Sequence, residues 1–205
     1  MAVDLLDKLD KESNQEQNKD LKIETVQDLS KIIEEWKKVN YELGINYNFY
    51  PMYKNHAIYQ DLVNGVYDSK TISAFSLELG QYQNFLNESL YEGYSDSRAG
   101  LFLSVVINRC PDKYVKIYTK TMHQLPNFFG YLNKERIIYV FGDLGDHAGS
   151  FMVSGKLIVN GNVGDRIGYG KHGGIIEING KCGSLDSYWG DEGSIYQNGK
   201  LLYGK

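Results

Sequence analysis

Gly142-Asp-Leu-Gly-Asp-His-Ala-Gly149 is followed nineteen residues later by Gly161-Asn-Val-Gly-Asp-Arg-Ile-Gly168, and nineteen beyond that by Gly180-Lys-Cys-Gly183. Written in rows of nineteen, the C-terminal third falls into columns. Gly142, Gly161, Gly180 and Gly199 form one series. Gly155, Gly174 and Gly193 form a second, Gly145, Gly164 and Gly183 a third, and Gly149 and Gly168 a fourth that Gly130 extends backwards. A fixed period of this length is the mark of a solenoid.

The apolar residues keep the same phase. Ile138, Leu157, Ile176 and Ile195 make one column; Val140, Val159, Ile178 and Gln197 make another two residues on. A two-residue offset puts both columns on one face of a strand. Leu144, Val163, Cys182 and Leu201 make a third, which places Cys182 in the core as a small hydrophobe. One row cannot bury its apolar face alone, but rows stacked about 4.8 Å apart bury a continuous column. Glycine is expected where a corner needs positive φ or where coils approach too closely for a Cβ. Asn160, Asn179 and Asn198 align before the corner glycine, where stacked amides can hydrogen-bond from coil to coil. The fold expected is mainly β: a single-stranded right-handed parallel β-helix with 19-residue coils, preceded by an α-helical N-terminal region.

Open solenoid ends expose unpaired strand edges and need covers. At the C-terminal end the phase slips at Leu185 and Asp186, bulky Tyr188 and Trp189 follow, and Gly193–Tyr203 finishes with large residues suited to covering the last coil. Upstream, Leu101–Ile107 and Tyr114–Thr119 read as strands separated by the Cys110-Pro-Asp turn signal. These strands and a helical stretch over 71–90, with Phe75, Leu79, Tyr82, Leu86 and Leu90 in helical spacing around Gly80, are expected to cap the other end. Thr25-Val-Gln-Asp28 has capping-box spacing, and Val26, Leu29, Ile33, Trp36 and Leu43 form a stripe that Gly44 should end. Residues 1–20 are polar enough to read as a mobile tail. The divisions are therefore 1–20, a mainly helical region and cap over 21–98, and the β-helix over 99–205. The tyrosines of 45–98 are read as covering a core edge with their hydroxyls in water.

The repeat rows, followed by Gly173-Gly-Ile-Ile-Glu-Ile-Asn-Gly180, resemble the GXGXG domain. That domain ends the glutamate synthase large subunit, forms much of the C subunit of formylmethanofuran dehydrogenase, and occurs in small stand-alone archaeal proteins. The resemblance covers about residues 100–205. It implies a right-handed β-helix acting as a structural spacer, with no family catalytic positions to carry over.

The 205 residues include 22 glycines, 17 tyrosines, three prolines and two cysteines, with 42% hydrophobic and 23% charged residues. A net charge of -4 argues against broad attraction to nucleic acid or anionic membranes. No apolar run reaches the roughly 20 residues of a membrane span, and no signal peptide is read at the N-terminus. Two cysteines fit a reducing cytoplasm. No nucleophile elbow or phosphate loop occurs, and Gly168-Tyr-Gly170 reads as a repeat corner rather than a dinucleotide fingerprint. His147 and His172 lack metal-ligand spacing. Asp143, Asp146 and Asp165 could line one side as cation ligands or an acid–base pair, though solvated corner residues are the ordinary reading. The functional expectation is a non-catalytic scaffold docking a protein partner or a second copy, with no cofactor. The alternatives are a structural subunit of an oxidoreductase or amidotransferase assembly and a carbohydrate-active β-helix protein.

Gly161→Val tests the column assignment. If that position needs positive φ or lies where coils approach closely, the added side chain should misfold the array or remove several kcal/mol of stability. A variant that unfolds like the wild type in a denaturant titration would overturn the column assignment.

Overall fold

The computed structural model describes residues 26–46, 52–83, 98–185 and 192–204. Among the described residues four helices, α1 (Val26–Asn46), α2 (Met52–Leu62), α3 (Ser69–Gln83) and α4 (Arg98–Arg109), precede six strands. These are β1 (Tyr114–Tyr118), β2 (Ile137–Phe141), β3 (Lys156–Asn160), β4 (Ile175–Ile178), β5 (Ser194–Gln197) and β6 (Lys200–Tyr203), which lie in that order in one sheet. β1 to β5 are parallel, and Ile138, Leu157, Ile176 and Ile195 pair in register. The chain is a β-solenoid with the expected 19-residue coil.

Inside it, the columns headed by Val115 and Ile117 run as continuous apolar ridges, each member at most 3% exposed until Gln197. Burying each such Val, Leu or Ile contributes about 1.5–3 kcal/mol. Leu144, Val163 and Cys182 bridge in parallel at a second wall. At a third, Ile167 bridges Leu185, so the slip seen in the sequence is one residue removed from that coil. The first coil is longer: Tyr114 pairs with Ile137, whereas Asp146 lies over Asn127. The extra residues fall between Tyr118 and Asn127 and bury Met122.

Several expectations are corrected. Leu101–Ile107 lies in helix α4, inside the 99–205 division, and the solenoid strands begin at Tyr114. Every residue from Ala99 to Ile107 is buried, so the run carries no inside–outside alternation and its β-branched residues follow their surroundings rather than propensity. Gly44 does not end α1, which continues to Asn46. Leu201 leaves the third column: β6 turns back antiparallel on β5, where Leu201 pairs with Tyr196 and is 43% exposed. Asn198 and Gly199, both with positive φ, are the two-residue turn of that hairpin and not a coil corner. The α1 stripe is carried by Ile32, Trp36 and Val39, with Leu29 and Ile33 at its flanks. Tyr59 and Tyr67 are buried core residues, not surface cover. Residues 1–25, Leu86, Leu90, Asp186, Tyr188 and Trp189 lie outside the described residues, and with them the start of the capping box and the tail.

The helices close the N-terminal end of the solenoid with two stripes of small and polar residues. On α3, the Ser73 hydroxyl donates to the Lys116 carbonyl, 2.7 Å, and the Ser76 hydroxyl accepts the Tyr118 N–H, 3.0 Å. These are free-edge groups of β1, so two serines stand where another strand would pair. Gly80 continues the stripe because a Cβ there would strike the Thr121 carbonyl. Asp68 caps the helix by accepting the Thr71 N–H at 2.7 Å, and Asp112 accepts that of Ser69 at 2.8 Å. On α4, Gly100 meets the Asn127 carbonyl, Ser104 accepts the N–H groups of Gly130 and Tyr131, and Asn108 donates to the Tyr131 carbonyl.

Ser76→Ala should leave the Tyr118 N–H without its acceptor and cost about 1–3 kcal/mol. Hydrogen exchange at the Tyr118 amide should quicken in step with the lost stability. Unchanged exchange there would show that the α3 hydroxyls do not seal the edge.

Candidate functional site

The residues with the most chemical potential lie at the solenoid corners, and the coil repeat dictates what each does. Past Asn160 many corner amides still reach backbone carbonyls of a neighbouring coil, those of Leu144 and His147 among them, and two side-chain ladders take others. Asn127 Oδ1 accepts the Asp146 N–H at 2.7 Å, Asp146 Oδ1 accepts that of Asp165 at 2.8 Å, and Asp165 Oδ1 accepts that of Ser184 at 2.7 Å. Beside it, Asp143 Oδ1 accepts the Asn162 N–H at 2.7 Å and Asn162 Oδ1 that of Lys181 at 2.9 Å. Each rung links a residue to the one nineteen positions on.

The ladders explain two glycine columns. A Cβ on Gly145, Gly164 or Gly183 would land on the side-chain oxygen of Asn127, Asp146 or Asp165 respectively. Gly161 and Gly180 sit against the carbonyls of Gly142 and Gly161, so close approach rather than φ requires glycine there. Gly142 itself has φ of 128° and lies against Thr119. Gly155, Gly174 and Gly193 need both, with φ of 77–85° and a carbonyl of the preceding coil beneath. Gly149 and Gly168 also take positive φ, with a column isoleucine against each. The asparagine column forms one rung, Asn179 Nδ2 donating to Asn160 Oδ1 at 2.9 Å. Asn198, displaced by the hairpin, donates instead to the Gly180 carbonyl at 3.3 Å.

Asp143, Asp146 and Asp165 are thus gathered on one corner, as the spacing implied, but as rungs. The backbone N–H and the hydroxyl of Ser184 hold the Asp165 carboxyl below the usual carboxylate range. Among the described residues no group of three His, Cys, Asp or Glu side chains is placed to hold a metal ion.

His147 and His172 are not brought together. The His147 ring stacks on Phe128, 4.3 Å between centroids, and stands edge-on to Tyr169, whereas His172 is exposed elsewhere on the coil. Phe128, His147 and Arg166 form a column of positive φ, 57°, 63° and 58°, and Leu132, Phe151 and Gly170 form another. Glycine counting missed both, since five of these six are not glycine. Gly168 and Gly170 lie within this corner, with the Phe151 ring against Gly170.

Lys171 is the group that sequence reasoning overlooked. It occupies the column of Asn133 and Met152 and is only 1% exposed. Its ammonium donates to the carbonyls of Glu192, 2.8 Å, and Gly174, 3.3 Å, and lies 6.0 Å from the centre of the Tyr203 ring. It pins the last coil shut, and burial pushes it down to about 8. The thiols of Cys110 and Cys182 are both pushed up by burial, which makes them poor nucleophiles.

Outside the solenoid, a groove of about 580 Å3 lies between α1 and the α2–α3 loop, lined by Lys31, Glu34, Glu35, Lys38, Asn64 and Tyr67 among others. Glu35 Oε1 is committed to the N–H groups of Asn64 and Gly65, 3.0 and 2.8 Å. Burial, then the charge of Glu35, raises Tyr67 far above the usual phenol range, so it stays protonated.

Lys171→Met tests the pin. Between about pH 8 and 10.5 the unfolded lysine keeps a proton that the folded one has lost, so native stability gains on raising pH. The wild-type protein should gain roughly 2–3 kcal/mol relative to the variant across that window. Titration of Cys110 and Cys182 opposes the gain in both proteins and cancels in the difference. A pH-independent difference would mean that Lys171 is solvated. No family model, no curated protein and no solved structure matches this chain.

Proposed function

We propose that this chain is a non-catalytic β-solenoid scaffold or protein-interaction module. The observation that carries the reading is the use made of its corner acids: Asp143, Asp146 and Asp165 each accept a backbone N–H of the next coil. A solenoid whose corner acids are committed to rungs between its coils is suited to holding other proteins at fixed spacing. The likeness to the GXGXG domain extends the proposal to a structural subunit that positions catalytic partners, and Cys110 and Cys182, both free thiols, suit a reducing cytoplasm. No described helix is long and apolar enough to cross a membrane.

The rungs give a clean test against a carbohydrate-active reading. Asn127 and Asn162 already serve as ladder members, so the triple variant Asp143→Asn, Asp146→Asn, Asp165→Asn keeps every acceptor and removes every acid. It should fold with a melting temperature within a few degrees of wild type, and a panel of glycan, ester and phosphate substrates should show no turnover in either protein. Turnover by the wild-type protein that disappears in the folded triple variant would overturn the scaffold reading.

A further inference from the structure

The outward face of the sheet presents three rows of side chains across the coils. One row is Tyr114, Ile137, Lys156 and Ile175; the middle row is Lys116, Tyr139, Ile158 and Glu177. Tyr114 is 56% and Ile175 36% exposed, Ile158 between them only 9%, Lys116 is exposed, and Lys156 reaches Glu177 at 2.7 Å. The helical layer meets the sheet at the edge of β1, through α3. The face therefore combines large apolar groups with one positive end and one negative end.

Resting on the scaffold reading, we infer that this face pairs with the same face of a second copy of the chain, about a two-fold axis parallel to the strands between β2 and β3. That operation reverses the order of the coils and keeps strand direction, so β1 of one copy lies over β4 of the other. Lys116 then meets Glu177 of the second copy, Tyr139 meets Ile158, and Tyr114 meets Ile175, each contact occurring twice. The stem of Lys156 lies over Ile137 while its ammonium stays with Glu177. The charges also reject the other two-fold axis in the plane, perpendicular to the strands. It would lay Lys116 on Lys116 and Glu177 on Glu177, and like charges facing across an interface are unfavourable. Of these two axes, only the one parallel to the strands makes the pattern self-complementary.

The four coils that overlap, of four- and five-residue strands, span roughly 19 by 16 Å, about 300 Å2 per copy in projection. That is at the small end of protein interfaces, so the dimer should dissociate in the micromolar to sub-millimolar range.

Sedimentation equilibrium of the full chain between ~10 and ~500 µM, at low salt, tests this. Wild type should shift from monomer to dimer across the range. Glu177→Lys puts three lysines together and should remain folded and monomeric, its melting temperature lowered by no more than a few degrees for the lost Lys156 ion pair, and Lys116→Glu should dimerise at least several-fold more weakly. An equimolar mixture of the two variants restores an opposite-charge contact at both positions and should form a one-to-one heterodimer. A wild-type monomer at ~500 µM, as when another segment of the chain covers this face, would overturn the inference. So would a wild-type dimer indifferent to Glu177→Lys, or variants that do not associate on mixing. None of these results bears on the scaffold reading, whose failure is a turnover lost with the corner acids.

Discussion

Everything in this solenoid depends on satisfying the backbone at the corners. Along the sheet, parallel strand pairing takes care of the amides. Where the chain turns, backbone bonds to the neighbouring coil cover only some amides, such as those of Leu144 and His147, and the rest need another acceptor. The protein meets this with acceptors carried one coil below: Asn127, Asp146 and Asp165 in one ladder, Asp143 and Asn162 in the other. Each acceptor works only if the next coil is in register, so the ladders and the 19-residue period enforce each other. Gly145, Gly164 and Gly183 are the empty places into which those side chains fit.

The same constraint governs the ends. At the first coil there is no preceding chain, and the helices substitute for it. Ser73 and Ser76 of α3 satisfy the edge of β1, while Gly100, Ser104 and Asn108 of α4 lie against the first corner. Both stripes pair side-chain hydrogen bonding with glycine at the points of closest approach. At the last coil the solution differs. The chain reverses through Asn198-Gly199 into β6, and Lys171 binds two carbonyls from within the core. A buried lysine is a costly closure, since the desolvation that lowers its proton affinity also opposes folding below about pH 8.

These demands also bear on function. Corner acids that might have marked a cleft act as rungs, and the histidines are split between a stacked corner ring and the surface. What remains outward is the sheet face, where Tyr114 and Ile175 are exposed and Lys156 pairs with Glu177.

The repeat, its period, the inward columns and the corner glycines were legible in the sequence. Stacking identical coils imposes the same steric demand at the same phase, and glycine has few substitutes where a carbonyl or carboxylate lies beneath it. Four features needed the tertiary structure. Phe128, His147, Arg166, Leu132 and Phe151 adopt a positive φ that their side chains disfavour, because the ladders and the coils on either side hold the corner there. Leu101–Ile107 is a helix because the interface buries it on all sides, and local propensity says nothing about that. Asn198 and Gly199 keep the phase of a corner yet form a hairpin, the pairing of Gln197 with Lys200 replacing a further coil. The corner acids could be placed on one side by counting, but their role as acceptors depended on which atoms the next coil brings within 3 Å. Sequence period determined which residues stack; only three-dimensional contact decided what each stacked residue does.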